Sequence, residues 1–280
     1  FFSPMASNES NPWIQEAHHD WPILLVLTIV CIILRIVLIH VILKPRYAAA
    51  GVPQDKLKSI CDHTMKVAIH SVLLVLGWAV VPFEDWFSWT SSAGVWHEWE
   101  QQTFSQPLKW YYYMQGAAAC SAFCFHFLEE KKKDFHLMMF HHVATITLIV
   151  GSYCYACLHI GTLVLFSREF SDVCIHAAKV GSMLGPRYSN MTVAWFASCM
   201  ISWIPLRLIC FPILIYVASV GSMGPVERHP NLGGCWWFCT VGLSLLVPLD
   251  WYYFVIGTQV GIRKLKGGKL EDTRELKKAN

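Results

Sequence analysis

Residues 21–43 read WPILLVLTIVCIILRIVLIHVIL, and this apolar run decides the fold of the chain. A helix needs roughly 20 apolar residues to cross a bilayer, and this run has 23. Backbone amides find no water inside lipid, so a spanning segment must be a helix or a strand of a closed barrel. The run has helical length, and it therefore predicts an integral membrane protein built from helices.

The composition of the whole chain agrees with a membrane location. Of its 280 residues, 55% are apolar and only 15% are charged, with a mean hydropathy of +0.41. Soluble domains carry about 25% charged residues. A net charge of only +3 does not suggest nucleic-acid binding. The eleven cysteines are an odd number that defines no disulfide framework, and all but Cys61 lie in or beside apolar runs, where a thiol behaves as a small hydrophobe.

Six further apolar runs of helical length follow the first. We predict an all-α, polytopic membrane protein with about seven transmembrane helices, at residues 21–43, 65–83, 110–128, 137–155, 159–178, 193–218 and 235–260. The first helix would precede a unit of six helices at 65–262. The remaining segments would be an N-terminal segment at 1–20, a linker at 44–64 and a basic tail at 263–280.

Positive charge tests this arrangement, because Lys and Arg collect on the cytoplasmic side of membrane proteins. Seventeen of the 22 lysines and arginines fall on one side of the seven-span arrangement. Only Lys109 and Arg228 fall on the other side, and three lie within spans. We therefore expect a lumenal N-terminus, with the linker and the tail in the cytoplasm.

Two spans carry ionisable residues, which are costly in a membrane and point to function. The fourth span opens with DFHLMMFHHVAT at 134–145, and the fifth contains SREFSDVCIHAAK at 167–179. With a helical rise of about 1.5 Å per residue, His141 and His142 should lie roughly 12 to 14 Å inside the cytoplasmic edge. Asp172, on the antiparallel fifth span, should lie roughly 10 Å inside. The imidazole pair and the carboxylate are therefore expected at nearly the same level.

Helical spacing also predicts which faces these groups occupy. Arg168, Asp172, His176 and Lys179 recur on one stripe of the fifth span, with Glu169 beside it, and this stripe should face inward. Arg168 could serve as a counter-ion for the carboxylates of its own helix. On the fourth span, the two adjacent imidazoles point about 100° apart, so both rings need not line the same cavity.

Other polar residues have simpler interpretations. Taken singly, His70, His126 and His136 are each interpreted as helix contacts. Arg207 lies between Pro205 and Pro212 and is interpreted either as a structural cation or as a functional group. No HxxxH or HExxH spacing is present to support a metal site.

Three stretches resemble the TLC-domain family, and within it the ceramide synthases with their Lag motif. They are FHHVAT at 140–145, GTLVL at 161–165 and REFSDVCIHAAK at 168–179. The motif begins with a His pair, continues through a Gly-[Ser/Thr]-Leu-Val-Leu run and reaches a His-Asp-x-x-Asp element. The likeness extends over roughly residues 56–264, so residues 65–262 would form a TLC-type helical bundle.

The resemblance implies N-acylation of a sphingoid base by a fatty acyl-CoA, giving ceramide or dihydroceramide in the endoplasmic reticulum membrane. Acyl-CoA would be a co-substrate, with no further cofactor, and a homodimer is left open. The resemblance and the ionisable residues together give two candidate sets. The catalytic set is His141, His142, Asp172 and Glu169. The set that would bind the CoA head or other polar parts of the substrate is Lys131, Lys132, Lys133, Arg187 and Arg207.

An imidazole could accept the acyl group as an acyl-imidazole or could only accept the amine proton. Asp172 would orient and stabilise an imidazole, with Glu169 as a second carboxylate. The chain departs from the motif where Arg168-Glu169 replaces His-Asp and where His176 replaces a Glu. Arg168 cannot accept a proton, so acid–base chemistry would fall to the other groups.

Two other functions would use a similar scaffold. A non-catalytic TLC protein that handles lipids, or that assists other chains at translocation, would have no need of the His pair and the facing carboxylates. A seven-span receptor or proton carrier would use the same buried charges as a relay.

Overall fold

The computed structural model describes residues 12–88, 93–96, 104–129, 131–155, 157–221, 223 and 233–268. These residues are predominantly helical and include no strand, so the predicted all-α class is confirmed. The outer parts of the predicted segments 1–20 and 263–280 lie outside the described residues.

The helices follow one another along the chain with short connections. They are α1 (Pro12–Val37), α2 (Lys44–Ala49), α3 (Gln54–Val80), α4 (Ala93–Trp96), α5 (Gln106–His126), α6 (Phe135–Cys154), α7 (Leu158–Leu184), α8 (Ser189–Trp203), α9 (Phe211–Gly221), α10 (Gly233–Ser244) and α11 (Val247–Leu265). Two π-helical segments, Leu38–Leu43 and Ile204–Cys210, join α1 to α2 and α8 to α9 without a break.

Five helical stretches among the described residues are long and apolar enough to cross a membrane. They are Asp20–Ala49, Gln54–Phe83, Phe135–Cys154, Pro186–Gly221 and Trp236–Leu265. Helices α5 and α7, with 21 and 27 residues, also have spanning length but carry more polar side chains. The chain is therefore a polytopic helical membrane protein.

Helix α7 lies in the middle of the bundle, which explains how it can carry so many polar groups. It packs most extensively against α3 and α8 and also contacts α5, α6 and α9. Arg168 and Glu169, in its centre, are both buried. Their charges therefore face other helices rather than lipid, as the inward stripe predicts.

The second predicted span begins earlier in the structure than in the sequence analysis. Helix α3 starts at Gln54, eleven residues before the predicted start at Met65. Charged residues lower the hydropathy of this first part, yet Leu57 and Cys61 pack in an apolar cluster with Ile39 of the first π-helical segment. The packing keeps the segment helical, and Cys61, the one cysteine outside the apolar runs, is fully buried there.

Two irregular places in the helices position buried charges. Pro205 and Pro212 lack the N–H that an α-helix needs, and the chain runs as a π-helix over Ile204–Cys210, which holds the buried Arg207. The last span is interrupted at Leu245 and Leu246, and α11 begins there. Asp250 lies buried in the first turn of α11, where the helix dipole favours a negative charge.

Candidate active site

A cavity of about 300 Å³ lies inside the bundle and is lined by α1, α3, α5, α6, α7, the π-helical segment before α9, α9 and α10. On α7 its wall extends from Ile160 to His176, which is about 24 Å at the helical rise. The charged lining residues lie toward the C-terminal half of α7. Toward the other end the lining includes Trp236, Cys239 and Leu243 of α10. The cavity therefore has a polar half and an apolar half.

Both imidazoles of the predicted pair line this cavity, together with Asp172 and Glu169. The structure therefore places the imidazole pair and the two carboxylates on one chamber. The ring centroids of His141 and His142 are 5.7 Å apart, and that of His142 lies 5.1 Å from His126. The 100° separation around the helix does not turn either imidazole away from the chamber.

Four polar atoms of the cavity lining are buried without a hydrogen-bond partner within the described part of the chain. They are Nε of Arg35, Nδ1 of His141, Oγ1 of Thr145 and Nη1 of Arg168. Buried polar atoms in proteins are almost always hydrogen-bonded, so unpaired atoms on one chamber need an explanation. A ligand with polar atoms in this part of the cavity would satisfy them.

Asp172 is held by an arginine rather than by the imidazole pair. Its carboxylate forms an ion pair of 2.7 Å with Arg207, which reaches it from the π-helical segment. Arg207 also donates from Nε to Ser171 at 2.7 Å. Orientation of an imidazole by Asp172 remains a prediction, and the contact seen is with Arg207. Arg207 lines the cavity, but its charge is already balanced, which favours its interpretation as a structural cation.

Arg168 has a partner that lies outside its own helix. Its Nη2 donates to both carboxylate oxygens of Asp250, at 2.6 and 2.8 Å. Arg207 reaches the same carboxylate at 3.4 Å. The direct ion-pair partner of Arg168 is therefore Asp250 of α11, rather than a carboxylate of its own helix as the sequence analysis expected. Two arginines and two aspartates, including Asp172, thus form one buried network with balanced charge.

Glu169 is the carboxylate that contacts an imidazole, and this imidazole belongs to α3. Its Oε2 lies 2.8 Å from Nδ1 of His70, and its Oε1 accepts a hydrogen bond of 3.0 Å from Gln115. His70 lines the cavity as well. His70 is thus a hydrogen-bonded helix contact, as interpreted from the sequence, and in addition forms a carboxylate–imidazole pair on the chamber wall.

The predicted CoA-binding lysines lie outside the cavity lining. Lys131, Lys132 and Lys133 occupy the loop between α5 and α6, and Arg187 is exposed in the turn between α7 and α8. Antiparallel helices bring these two connections to the same side of the bundle. Their place leaves them available to a phosphate outside the chamber, but the structure does not bring them to the imidazole pair.

Two other cations line the polar half of the cavity and share one carboxylate. Arg35 and Lys66 form ion pairs with Glu129 at 3.4 and 2.7 Å, and Arg35 also pairs with Asp62 at 3.6 Å. Burial acts to raise the pKa of Glu129, which follows α5 in the loop, but Lys66 and Arg35 outweigh burial and hold this pKa below its ordinary value. Glu129 therefore stays ionised at neutral pH and anchors both cations.

The sequence analysis missed Asp250, His70 and Glu129 as members of these networks. A signal existed for Asp250, because it is a lone carboxylate inside an apolar run, and the rule used for α7 applies to it. His70 gave no spacing signal, because its partner is on another helix. Among the described residues, no group of three or more His, Cys, Asp or Glu side chains could hold a metal ion.

Comparison with known proteins agrees with this architecture. A family profile described as TRAM_LAG1_CLN8, the TLC domain, matches residues 59–256. The chain therefore belongs to the TLC-domain family, and the matched segment includes every residue of the predicted catalytic set.

Curated relatives include ceramide synthases of plants and animals. Ceramide synthase LOH2 of Arabidopsis thaliana is 32% identical over 189 residues, covering 64% of this chain and 61% of that protein. Ceramide synthase LOH1 of the same plant is 27% identical over 231 residues, covering 78% and 73%. Ceramide synthase hyl-2 of Caenorhabditis elegans is 25% identical over 234 residues, covering 79% and 69%. The chain thus spans less than two thirds of the length of LOH2.

Proposed function

We propose that this protein is a ceramide synthase, which transfers a fatty acyl group from acyl-CoA to the amino group of a sphingoid base. The observation that carries the proposal is the single chamber with an imidazole pair at its polar half and apolar walls beyond. Both substrates combine a long apolar chain with a polar reacting group, so the two halves suit them. Similarity to proteins named ceramide synthases supports the same reaction. The endoplasmic reticulum membrane, with a lumenal N-terminus, is part of this proposal.

The unpaired atoms of the chamber suggest how the thioester would be held. Nδ1 of His141 is available as an acceptor or nucleophile in a site shielded from water. Arg168 has one nitrogen occupied by Asp250, while its Nη1 is unpaired among the described residues. Such a donor could bind the negative oxygen that develops when the thioester carbonyl is attacked. Arg168 would then act as a hydrogen-bond donor to the oxyanion, a role that does not require it to accept a proton.

The amine must attack as the neutral base. Either His141 first takes the acyl group from CoA and passes it to the amine, or an imidazole only accepts the amine proton. In both routes the carbon–sulfur bond breaks, a carbon–nitrogen bond forms, and the CoA thiol leaves. Trapping an acylated His141 or His142 peptide with acyl-CoA alone would support the covalent route.

A microsomal assay with labelled sphinganine and acyl-CoAs of several chain lengths tests the proposal. We expect ceramide from the wild type and a loss of about 10²-fold or more for His141→Ala and His142→Ala, the usual scale for removing an acid–base or nucleophilic group. His136→Ala, an exposed histidine on the same helix, is the matched control and should keep full activity. Wild-type inactivity at every chain length would contradict the proposal and favour a non-catalytic TLC protein.

A further inference from the structure

Three imidazoles form an array on the side of the chamber made by α3 and α7. Nδ1 of His63 lies 3.2 Å from Nδ1 of His176, and their rings are stacked with centroids 5.2 Å apart. The ring of His70 also stacks on that of His176, with centroids 5.7 Å apart. We call His63, His70 and His176 the imidazole array. His70 and His176 line the cavity, while His63 is buried behind them.

The contact with Glu169 decides which nitrogen of His70 can accept a proton. Both oxygens of Glu169 act as acceptors, one toward Gln115 and one toward Nδ1 of His70. Nδ1 of His70 therefore carries the hydrogen and donates it to the carboxylate. Nε2 is left as the acceptor, because a neutral imidazole has one donor and one acceptor nitrogen.

The proposed reaction needs a proton acceptor of this kind. A sphingoid amine enters mostly as an ammonium ion at neutral pH, as a lysine side chain does. Its acylation by a thioester gives an amide, the CoA thiol and one proton. One hydrogen of the attacking nitrogen ends on the CoA sulfur, and another must leave the chamber. A proton left in a site of low polarity would oppose the next turnover.

We propose, on the basis of the proposed function, that the imidazole array accepts the proton of the sphingoid ammonium at His70 and carries it away from the chamber through His176 and His63. Glu169 stabilises the imidazolium that forms at His70. The imidazole pair on α6 then serves the acyl group, and the array on α3 and α7 serves the amine. This division uses two groups of histidines on different helices of one cavity.

The contacts allow each transfer along the array. The rings of His70 and His176 contact each other through their faces, while ring N–H bonds lie in the ring plane. The step from His70 to His176 therefore passes through a water in the cavity that both residues line, a polar site with room for one. The rings of His63 and His176 also overlap, but their Nδ1 atoms lie within hydrogen-bond distance at 3.2 Å, so one hydrogen can pass directly between these nitrogens. His63 lies about 10 Å nearer the N-terminus of α3 than His70 does.

A carboxylate lies at the start of the array, where Oε2 of Glu169 is 2.8 Å from Nδ1 of His70. An imidazolium formed at His70 is therefore stabilised by an opposite charge at the point where the proton is accepted.

The test measures kcat for amide formation from sphinganine and acyl-CoA between pH 6.5 and 9.5, using the full chain in microsomes. Gln replaces His70 because it keeps a hydrogen bond to Glu169 but cannot take up a proton. We expect His70→Gln to lower kcat about 10²-fold at pH 7, the lower range for loss of a general base. The deficit should shrink steadily toward pH 9.5, because more of the amine is then neutral without help. A merely structural defect would lower kcat by the same factor at every pH.

Two variants of His176 distinguish loss of a proton carrier from a failure to fold. His176→Gln should lower kcat about 10-fold at pH 7, whereas His176→Glu, which can still carry a proton, should stay within about 3-fold of the wild type. His136→Gln is the control for loss of an exposed histidine. If the wild type is active, the proposed role of the array is overturned by a His70→Gln variant that keeps full activity. It is also overturned if kcat of this variant falls by the same factor at every pH. Equal losses in the two His176 variants overturn it as well, whereas a wild type that forms no amide refutes the proposed function itself.

Discussion

Removal of the Asp250 carboxylate should strongly destabilise the bundle. Asp250 is 2% exposed and neutralises Arg168 through two short hydrogen bonds. It also attracts Arg207 at 3.4 Å. Substitution by alanine leaves two buried arginines with Asp172 as the single carboxylate of the network.

The expected magnitude follows from the kind of contact that is lost. Breaking a buried ion pair from one side costs about 3–5 kcal/mol, because the remaining charge stays buried without compensation. For a chain of this size, 1 kcal/mol shifts the midpoint of thermal unfolding by roughly 2–4 °C. Asp250→Ala should therefore lower the midpoint by roughly 6–20 °C. Arg168→Met combined with Asp250→Ala should recover at least half of this loss, since removing both charges leaves none uncompensated.

Thermal unfolding of the purified protein in detergent, followed by the tryptophan signal, measures these changes. Asp55→Ala is the matched control, because this aspartate is exposed in the first turn of α3 and should contribute less than about 1 kcal/mol. A melting midpoint of Asp250→Ala within about 2 °C of the wild type would refute the reasoning. So would a double variant no more stable than the single one.

Two further predictions concern the loop carboxylate and the helix packing. Glu129→Gln should lower stability at pH 7 by about 1–3 kcal/mol, since charge-assisted bonds to Lys66 are lost. The pKa of Glu129 in the fold is below its ordinary value, so its contribution is complete above about pH 4.5 and fades as pH falls further. Unfolding midpoints should therefore converge for the two proteins in acid, and a constant gap down to pH 3 would contradict this. Gly161→Ala should destabilise by about 1–3 kcal/mol, because a Cβ there would overlap the hydroxyl of Tyr112. Gly261→Ala, with only ordinary contacts, should be neutral or slightly stabilising, and equal melting of these two variants would argue against the packing.

The helical class and the depth of the candidate site were predictable because both depend on local properties. The length and apolarity of successive runs require helices in lipid, whatever the helices pack against. The constant rise of a helix places His141 and Asp172 at matching depth once their spans are antiparallel. The inward stripe of α7 follows in the same way from the helical repeat, and the structure confirms it for Arg168, Asp172 and His176, which line the cavity, but Lys179 lies outside the lining.

Helix ends and discontinuities were predicted less well. The start of α3 was placed too late, because charged residues in its first turns hide a buried face that only packing against the first π-helical segment reveals. The interruption at Leu245 and Leu246 has no counterpart in the hydropathy, which stays high through the last span. Its consequence is the placement of Asp250 at the start of a helix.

The residue types and their spacing along the chain determine that this protein is a bundle of membrane helices with ionisable groups turned inward. They do not determine which of these groups contact each other. Asp172 pairs with Arg207, Glu169 pairs with His70, and Arg168 pairs with Asp250. Each pair joins residues at least 35 positions apart, on different helices. Such contacts depend on how each helix is rotated and tilted against its neighbours, and side-chain packing across the whole bundle sets that geometry.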